Sequence, residues 1–221
     1  MKLIATRLPD SPAAAVVVLH GGGSRGHGVP VSPTQLSVVR MIPIARRIAD
    51  AGGGRLAVWR LLNSVRGWDA TLADVRAALR QLRAQLPPGT PVGLVGHSLG
   101  GRAAIRSAGA DGVRSVVALA PWVHEYDGDV DAAGRQVLIV YGTADRVASP
   151  RRALAVADRL TRTAQVGVIG VRGGKHAMLR RHSTFEGLAA EFMVATLLGR
   201  PVAEPSGPLA EALAGGSPVF V

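Results

Sequence analysis

The chain has 221 residues, 48% of them apolar, and a formal charge of +11. That length suits one α/β domain with a sizeable core, and no run approaches the roughly 20 apolar residues a membrane helix needs. Cysteine is absent and all but two of the 26 basic residues, Lys2 and Lys175, are arginine; disulfides, a thiol nucleophile and thiolate metal sites are excluded, and the scatter of the arginines argues against a nucleic-acid groove.

In chain order, Lys2 to Leu8 and Ala15 to His20 read as strands. The segment from Ala13 to Leu19, behind Lys2 and Arg7, imitates the basic and apolar parts of a secretion signal. No small-residue cleavage site follows, and removal would destroy the strand, so a cytoplasmic location is expected. Gln35 to Ala51 reads as a helix, Leu56 to Leu61 as a strand. Trp68 to Leu86 is the clearest helix, with Leu72, Val75, Leu79, Leu82 and Leu86 at steps of three and four; Pro87-Pro88-Gly89 stops it. Strands then follow at Val92 to Gly96, Ser115 to Leu119, Val137 to Tyr141 and Val166 to Val171, with helices at Gly101 to Ala108, Pro150 to Leu160 and Phe185 to Leu198. This alternation predicts an α/β fold: a mostly parallel sheet of about seven strands with helices on both faces. Residues 1–198 form the expected domain. Residues 199–221, rich in Pro, Gly and Ala, read as a loosely docked tail, from which Leu209, Leu213 and Phe220 could reach over a site.

Gly96-His97-Ser98-Leu99-Gly100 matches G-x-S-x-G and lies between a predicted strand and a predicted helix. A sharp turn there exposes the serine hydroxyl and draws together the positions two before and two after it, and both are glycine. A serine needs a base, and the base needs a third group to hold its tautomer. Asp145, in the loop after Val137 to Tyr141, and His176, after Gly173-Gly174-Lys175, supply these in the order Ser, Asp, His. Asp127, Asp129 and Asp131 compete for the acid. Among the other histidines, His20 and His97 read as structural members of turns, His182 lies beyond the last loop, and His27 and His124 are candidates to line the site. His20-Gly21-Gly22-Gly23 offers exposed backbone N–H groups for an oxyanion, from Gly22 or Gly23, with the second donor at Leu99.

Together these segments resemble the α/β-hydrolase superfamily, in particular its small lidless esterases and dienelactone-hydrolase-like members. The resemblance covers roughly Ala15 to Leu198. It implies an active site at the C-terminal ends of the strands and hydrolysis through an acyl-serine intermediate. Two departures stand out: dienelactone hydrolases proper have cysteine where this chain has Ser98, and only one strand fits before Ala15. Where capped members insert a lid, only Pro121 to Arg135 is present. Trp122 and Tyr126 in that connection are candidates for substrate contact or for packing of a surface loop; Arg25 and His27 are weaker candidates for a polar substrate group. The resulting expectation is a hydrolase of small or compact esters, thioesters or lactones. A cofactor-free perhydrolase-like enzyme and a non-catalytic ligand-binding protein of the same fold remain alternatives. Neither metal nor organic cofactor is implied, since no ligand spacing such as H-E-x-x-H occurs. The expected partner is a small-molecule acyl substrate, with no nucleic acid and no membrane, for a monomer or homodimer.

Overall fold

Short valine- and leucine-rich runs too brief for helices become strands, and the computed structural model, which describes residues 1–22, 28–204 and 206–221, contains eight of them among those residues. They are β1 (Lys2–Arg7), β2 (Ala14–Leu19), β3 (Leu56–Leu62), β4 (Val92–His97), β5 (Val113–Leu119), β6 (Gln136–Gly142), β7 (Gln165–Val171) and β8 (Val219–Phe220). One sheet holds them in the order β1-β3-β2-β4-β5-β6-β7-β8. β1 runs antiparallel to β3, and the remaining pairs are parallel.

The helices are α1 (Leu36–Val39), α2 (Met41–Ala51), α3 (Trp68–Gln85), α4 (Leu99–Arg106), α5 (Pro150–Leu160), α6 (His182–Leu198) and α7 (Pro208–Ala214). Successive strand residues point to opposite faces, so a strand buried on both sides feeds two cores. Val16 and Val18 pack with Ile44 and Ile48 of α2 and Phe185 and Phe192 of α6. Ala15, Val17 and Leu19 pack with Leu79 of α3, Ile105 of α4 and Leu160 of α5. None of the described helices is long and apolar enough to cross a membrane.

Two expectations need correction. The helix expected from Gln35 to Ala51 is broken at Arg40 into α1 and α2. Pro43 is the physical reason, since it has no N–H for the Val39 carbonyl and its ring crowds that carbonyl. The end of the chain is also more ordered than a loose arm: α7 buries Leu209 and Ala212, and β8 adds an eighth strand. The Val221 N–H donates to the Gly170 carbonyl at 3.0 Å, and Gln165 Nε2 donates to the Leu213 carbonyl at 2.8 Å. Without this segment, β7 would be an edge with unpaired backbone groups. α7 lies against the N-terminal half of β7, where Ala212 abuts Gly167; the loop carrying His176 leaves the other end of that strand.

The turn between β4 and α4 tolerates no added side chain. A Cβ on Gly100 would come within 2.5 Å of the Leu19 carbonyl oxygen and 2.6 Å of that of His20, and one on Gly96 would collide with Gly100 backbone. Gly100→Ala is therefore expected to force β2 and α4 apart, at a cost of about 1–3 kcal/mol or more. Urea unfolding should show a lowered midpoint; an unchanged midpoint would show that the two segments can separate freely.

Candidate active site

β4 ends at His97 and α4 begins at Leu99, which leaves Ser98 alone to make the turn, at φ 54° and ψ −117°. A non-glycine residue rarely has positive φ, and such strain costs of order 1–3 kcal/mol. Three backbone hydrogen bonds hold it there: the Ser98 N–H donates to the Leu119 carbonyl at 3.0 Å, and the Ser98 carbonyl accepts from Arg102 and Trp122, each at 3.1 Å. At about 1 kcal/mol apiece they offset the strain.

The loops after β6 and β7 bring Asp145 and His176 to the same end of the sheet. His176 Nε2 lies 3.0 Å from Ser98 Oγ, and His176 Nδ1 lies 2.9 Å from Asp145 Oδ2. Asp145 Oδ1 accepts from the N–H groups of Val147 at 2.8 Å and Ala148 at 2.9 Å. Burial works against the Asp145 carboxylate, yet the hydrogen bonds from His176, Ala148 and Val147 outweigh it and hold its pKa below the usual value. An ionised Asp145 requires the proton on Nδ1, so Nε2 faces the serine as an acceptor.

The three competing aspartates are engaged elsewhere. Asp127, fully buried, accepts from Arg102 Nε at 2.8 Å and from the His124 N–H at 2.8 Å. Asp129 pairs with Arg159, and Asp131 accepts from the Ala133 N–H. Asp127 thus ties the connection after β5, a short 3-10 turn at Glu125–Gly128, to α4. No cap is inserted there. The Trp122 N–H donates to the Ser98 carbonyl, which sets Trp122 beside Ser98, while the Tyr126 hydroxyl accepts from Arg102 at 3.0 Å. His124 stacks on Tyr126, with ring centroids 5.2 Å apart, and meets Trp122 edge-on at 5.2 Å.

Gly21 lies against the serine, since a Cβ on it would be 2.9 Å from Ser98 Cβ. Among the described residues, the N–H groups of Gly22 and Leu99 are donated to no other group. Gly23, Arg25 and His27 lie outside the described residues. His20, expected to be structural, fixes this loop: the Asn63 N–H donates to its Nε2 at 3.2 Å, so its proton is on Nδ1, which donates to the Gly21 carbonyl at 2.7 Å. Burial lowers the His20 pKa and keeps the ring neutral.

Two residues hold the His176 loop: His97, expected to be structural, and Arg40, which sequence reasoning missed. His97 donates from Nε2 to the His176 carbonyl at 2.8 Å, and the two rings are 5.0 Å apart. Arg40 donates to the carbonyls of Ala177 at 3.2 Å and Met178 at 3.4 Å while pairing with Glu186 at 3.0 Å. The position of His97 beside Ser98 hinted at proximity, but no local pattern could connect Arg40 to a loop so distant in sequence.

Burial above all, with the neighbouring His176 adding to it, pushes the His97 pKa down from 6.5 to about 4. Between these values the unfolded chain binds a proton that the folded chain does not. Stability is thus complete above pH 6.5, falls as the pH drops towards 4, and loses no more below that. The shift corresponds to about 3 kcal/mol at most. Chemical denaturation at pH 7.5 and pH 4.5 should show a smaller acid loss in His97→Gln, which keeps an N–H donor but does not titrate; an equal loss in both proteins would remove His97 from the account.

Residues 78–190, just over half of the chain, match the profile described as "Alpha/beta hydrolase family". No curated protein matches in sequence. Among solved structures, Est1E from Butyrivibrio proteoclasticus is similar with a TM-score of 0.68 at 14% identity, over 90% of this chain and 93% of that one. XC6422 from Xanthomonas campestris, described as a serine hydrolase without lid, gives 0.63 at 19% identity, over 86% of each chain. The esterase domain of a Rhodothermus marinus protein gives 0.66 at 17% identity, over 88% of this chain and 92% of that one. At such identities the structural likeness speaks for the fold, and together with the profile match over residues 78–190 it leads to one assignment: the chain belongs to the alpha/beta hydrolase family.

Proposed function

We propose that this hydrolase cleaves small or compact carboxylic esters, or the related thioesters and lactones, through an acyl intermediate on Ser98. The observation that carries the reading is the continuous hydrogen-bonded line from Ser98 Oγ through His176 to Asp145. The Rhodothermus marinus neighbour, named as an esterase domain, supports an ester bond as the target.

In the first half-reaction, Ser98 Oγ attacks the substrate carbonyl carbon and its proton passes to His176 Nε2. Negative charge gathers on the former carbonyl oxygen, and the N–H groups of Leu99 and Gly22 are the donors that receive it. The proton then moves from His176 to the leaving oxygen or sulfur as that bond breaks, leaving acyl-Ser98. In the second half, His176 takes a proton from water, which attacks the acyl carbon, and Ser98 is restored as the acid departs. Asp145 remains ionised throughout and holds the imidazole in the required tautomer and orientation.

Ser98→Ala should abolish labelling by a fluorophosphonate and lower kcat by several orders of magnitude without altering the unfolding transition. His176→Ala should be almost as damaging, because nucleophile and base act as a unit. Asp145→Asn should be severe but milder; if it is harmless, the acid has been misassigned. Near-normal turnover by folded Ser98→Ala would remove the whole reading.

A cap would bury a long acyl chain, at roughly 0.8 kcal/mol for each methylene kept from water, and the connection after β5 is too short to enclose one. Acetyl and butyryl nitrophenyl esters should therefore show higher kcat/KM than the palmitoyl ester, without activation at a lipid interface. A long-chain preference would reveal a deep pocket and rule out the compact-acyl part of the reading.

A further inference from the structure

The rim of the site is chemically two-sided. On one side stand the loops carrying the acid and the base. They hold five exposed cations: Arg172, which lies over the Phe220 ring at 5.3 Å, and Arg146, Lys175, Arg180 and Arg181, none of which has a carboxylate within salt-bridge distance among the described residues. In the same two loops, Val147 is 63% and Leu179 66% exposed. Their one carboxylate, Asp145, is committed to His176. On the other side, among the described residues, Trp122 and Tyr126 after β5 are exposed aromatics with the exposed carboxylate of Glu125 between them, and Leu36 on α1 lies exposed between the two sides, since Arg40 at the end of α1 bonds the Ala177 and Met178 carbonyls. α1 borders the loop of Gly22, where an added Cβ would meet Gln35 and Ser37 side chains.

The direction of the reaction assigns the two sides. Because His176 Nε2 must hand its proton to the departing atom, the leaving group has to lie within hydrogen-bond reach of the imidazole, and hence beside the loops of residues 143–149 and 172–181. The acyl group then falls towards Trp122. We propose that the preferred substrates carry an anionic leaving group, an alcohol or thiol bearing phosphate or carboxylate a short apolar distance from the scissile bond, bound by Arg146, Lys175, Arg180 and Arg181. This rests on the serine-hydrolase reading above. Four cations on a rim raise the local concentration of an anion and speed its encounter. Salt screens exposed charges over about 10 Å at 0.1 M, so the effect is strongly salt-dependent. Val147 and Leu179, interleaved with the cations, offer apolar contact to the spacer between bond and charge.

A charge-graded set of butyryl thioesters tests this with the reacting bond unchanged: the N-acetylcysteamine thioester is neutral, the 3-mercaptopropionate thioester carries a carboxylate, and butyryl-coenzyme A carries phosphates. At low ionic strength, kcat/KM should rise along that series, by roughly tenfold or more between its ends. The gain should collapse towards unity in high salt. In Arg146→Gln, Lys175→Gln, Arg180→Gln and Arg181→Gln combined, the gain should be lost while turnover of the neutral thioester and of nitrophenyl butyrate stays near that of the parent. A rise with the carboxylate alone, or with the phosphates alone, would identify which anion the rim takes. A flat series in the parent overturns the proposal, as does a gain that survives in the combined variant, which would assign the attraction to the chain's overall +11 charge. If the thioesters are inert while nitrophenyl butyrate is turned over, only this proposal fails; if nitrophenyl butyrate is inert as well, the serine-hydrolase reading fails with it.

Discussion

Everything at the C-terminal edge of the sheet depends on the reversal at Ser98. A residue with an ordinary side chain is held at positive φ, and the structure tolerates it because the surrounding backbone leaves no alternative. Gly96 and Gly100 approach each other more closely than any Cβ would permit, and Gly100 abuts the end of β2. That approach sets α4 against the sheet, lays Gly21 beside the serine and places the Leu99 N–H at the N-terminus of α4, the end of a helix where negative charge is favoured. Loosening this one turn would misplace the nucleophile and both candidate oxyanion donors together.

The loops around this rigid centre are held by imidazoles that take no direct part in the proposed chemistry. His20 clasps the Gly21 carbonyl and His97 the His176 carbonyl, both through a single N–H. Burial keeps each neutral, and neutrality suits an anchor, since an uncharged ring costs less to bury than a cation and presents one donor of defined direction. Arg40 acts on the same loop from outside, with Glu186 balancing its charge. The His176 loop is thereby anchored to β4 and Arg40 through its own carbonyl groups, and the Gly21 loop to Asn63 through the His20 ring.

A different solution stabilises the connection after β5. Arg102 lies 3.8 Å over the Trp68 ring and pairs with Asp127, which also receives the His124 N–H. A buried ion pair seldom adds much net stability over apolar packing, but removal of one partner leaves a costly unpaired charge. Its effect here is geometric: the pair binds a short loop to α4, so Trp122 remains beside Ser98 without a cap domain to support it.

The parallel sheet, the serine turn, and the loops that bring Asp145 and His176 to Ser98 were legible in the sequence because each depends on local order: valine-rich runs, glycines flanking Ser98, and loops that directly follow strands. Pro43 shows the limit of periodicity, since the apolar spacing across residues 35–51 continued through a position where the backbone could not. The tail was misread for a related reason: its composition suggests looseness, but the open edge of β7 supplies pairing that no local pattern encodes. Asp127 differs from Asp145 only in what folding brings near it, an arginine in one case and the His176 imidazole in the other. Residue types and their spacing determined which groups could perform acyl transfer. Tertiary structure alone decided which aspartate faces His176 and which histidines hold the loops, because those relations depend on segments distant in sequence meeting across the sheet.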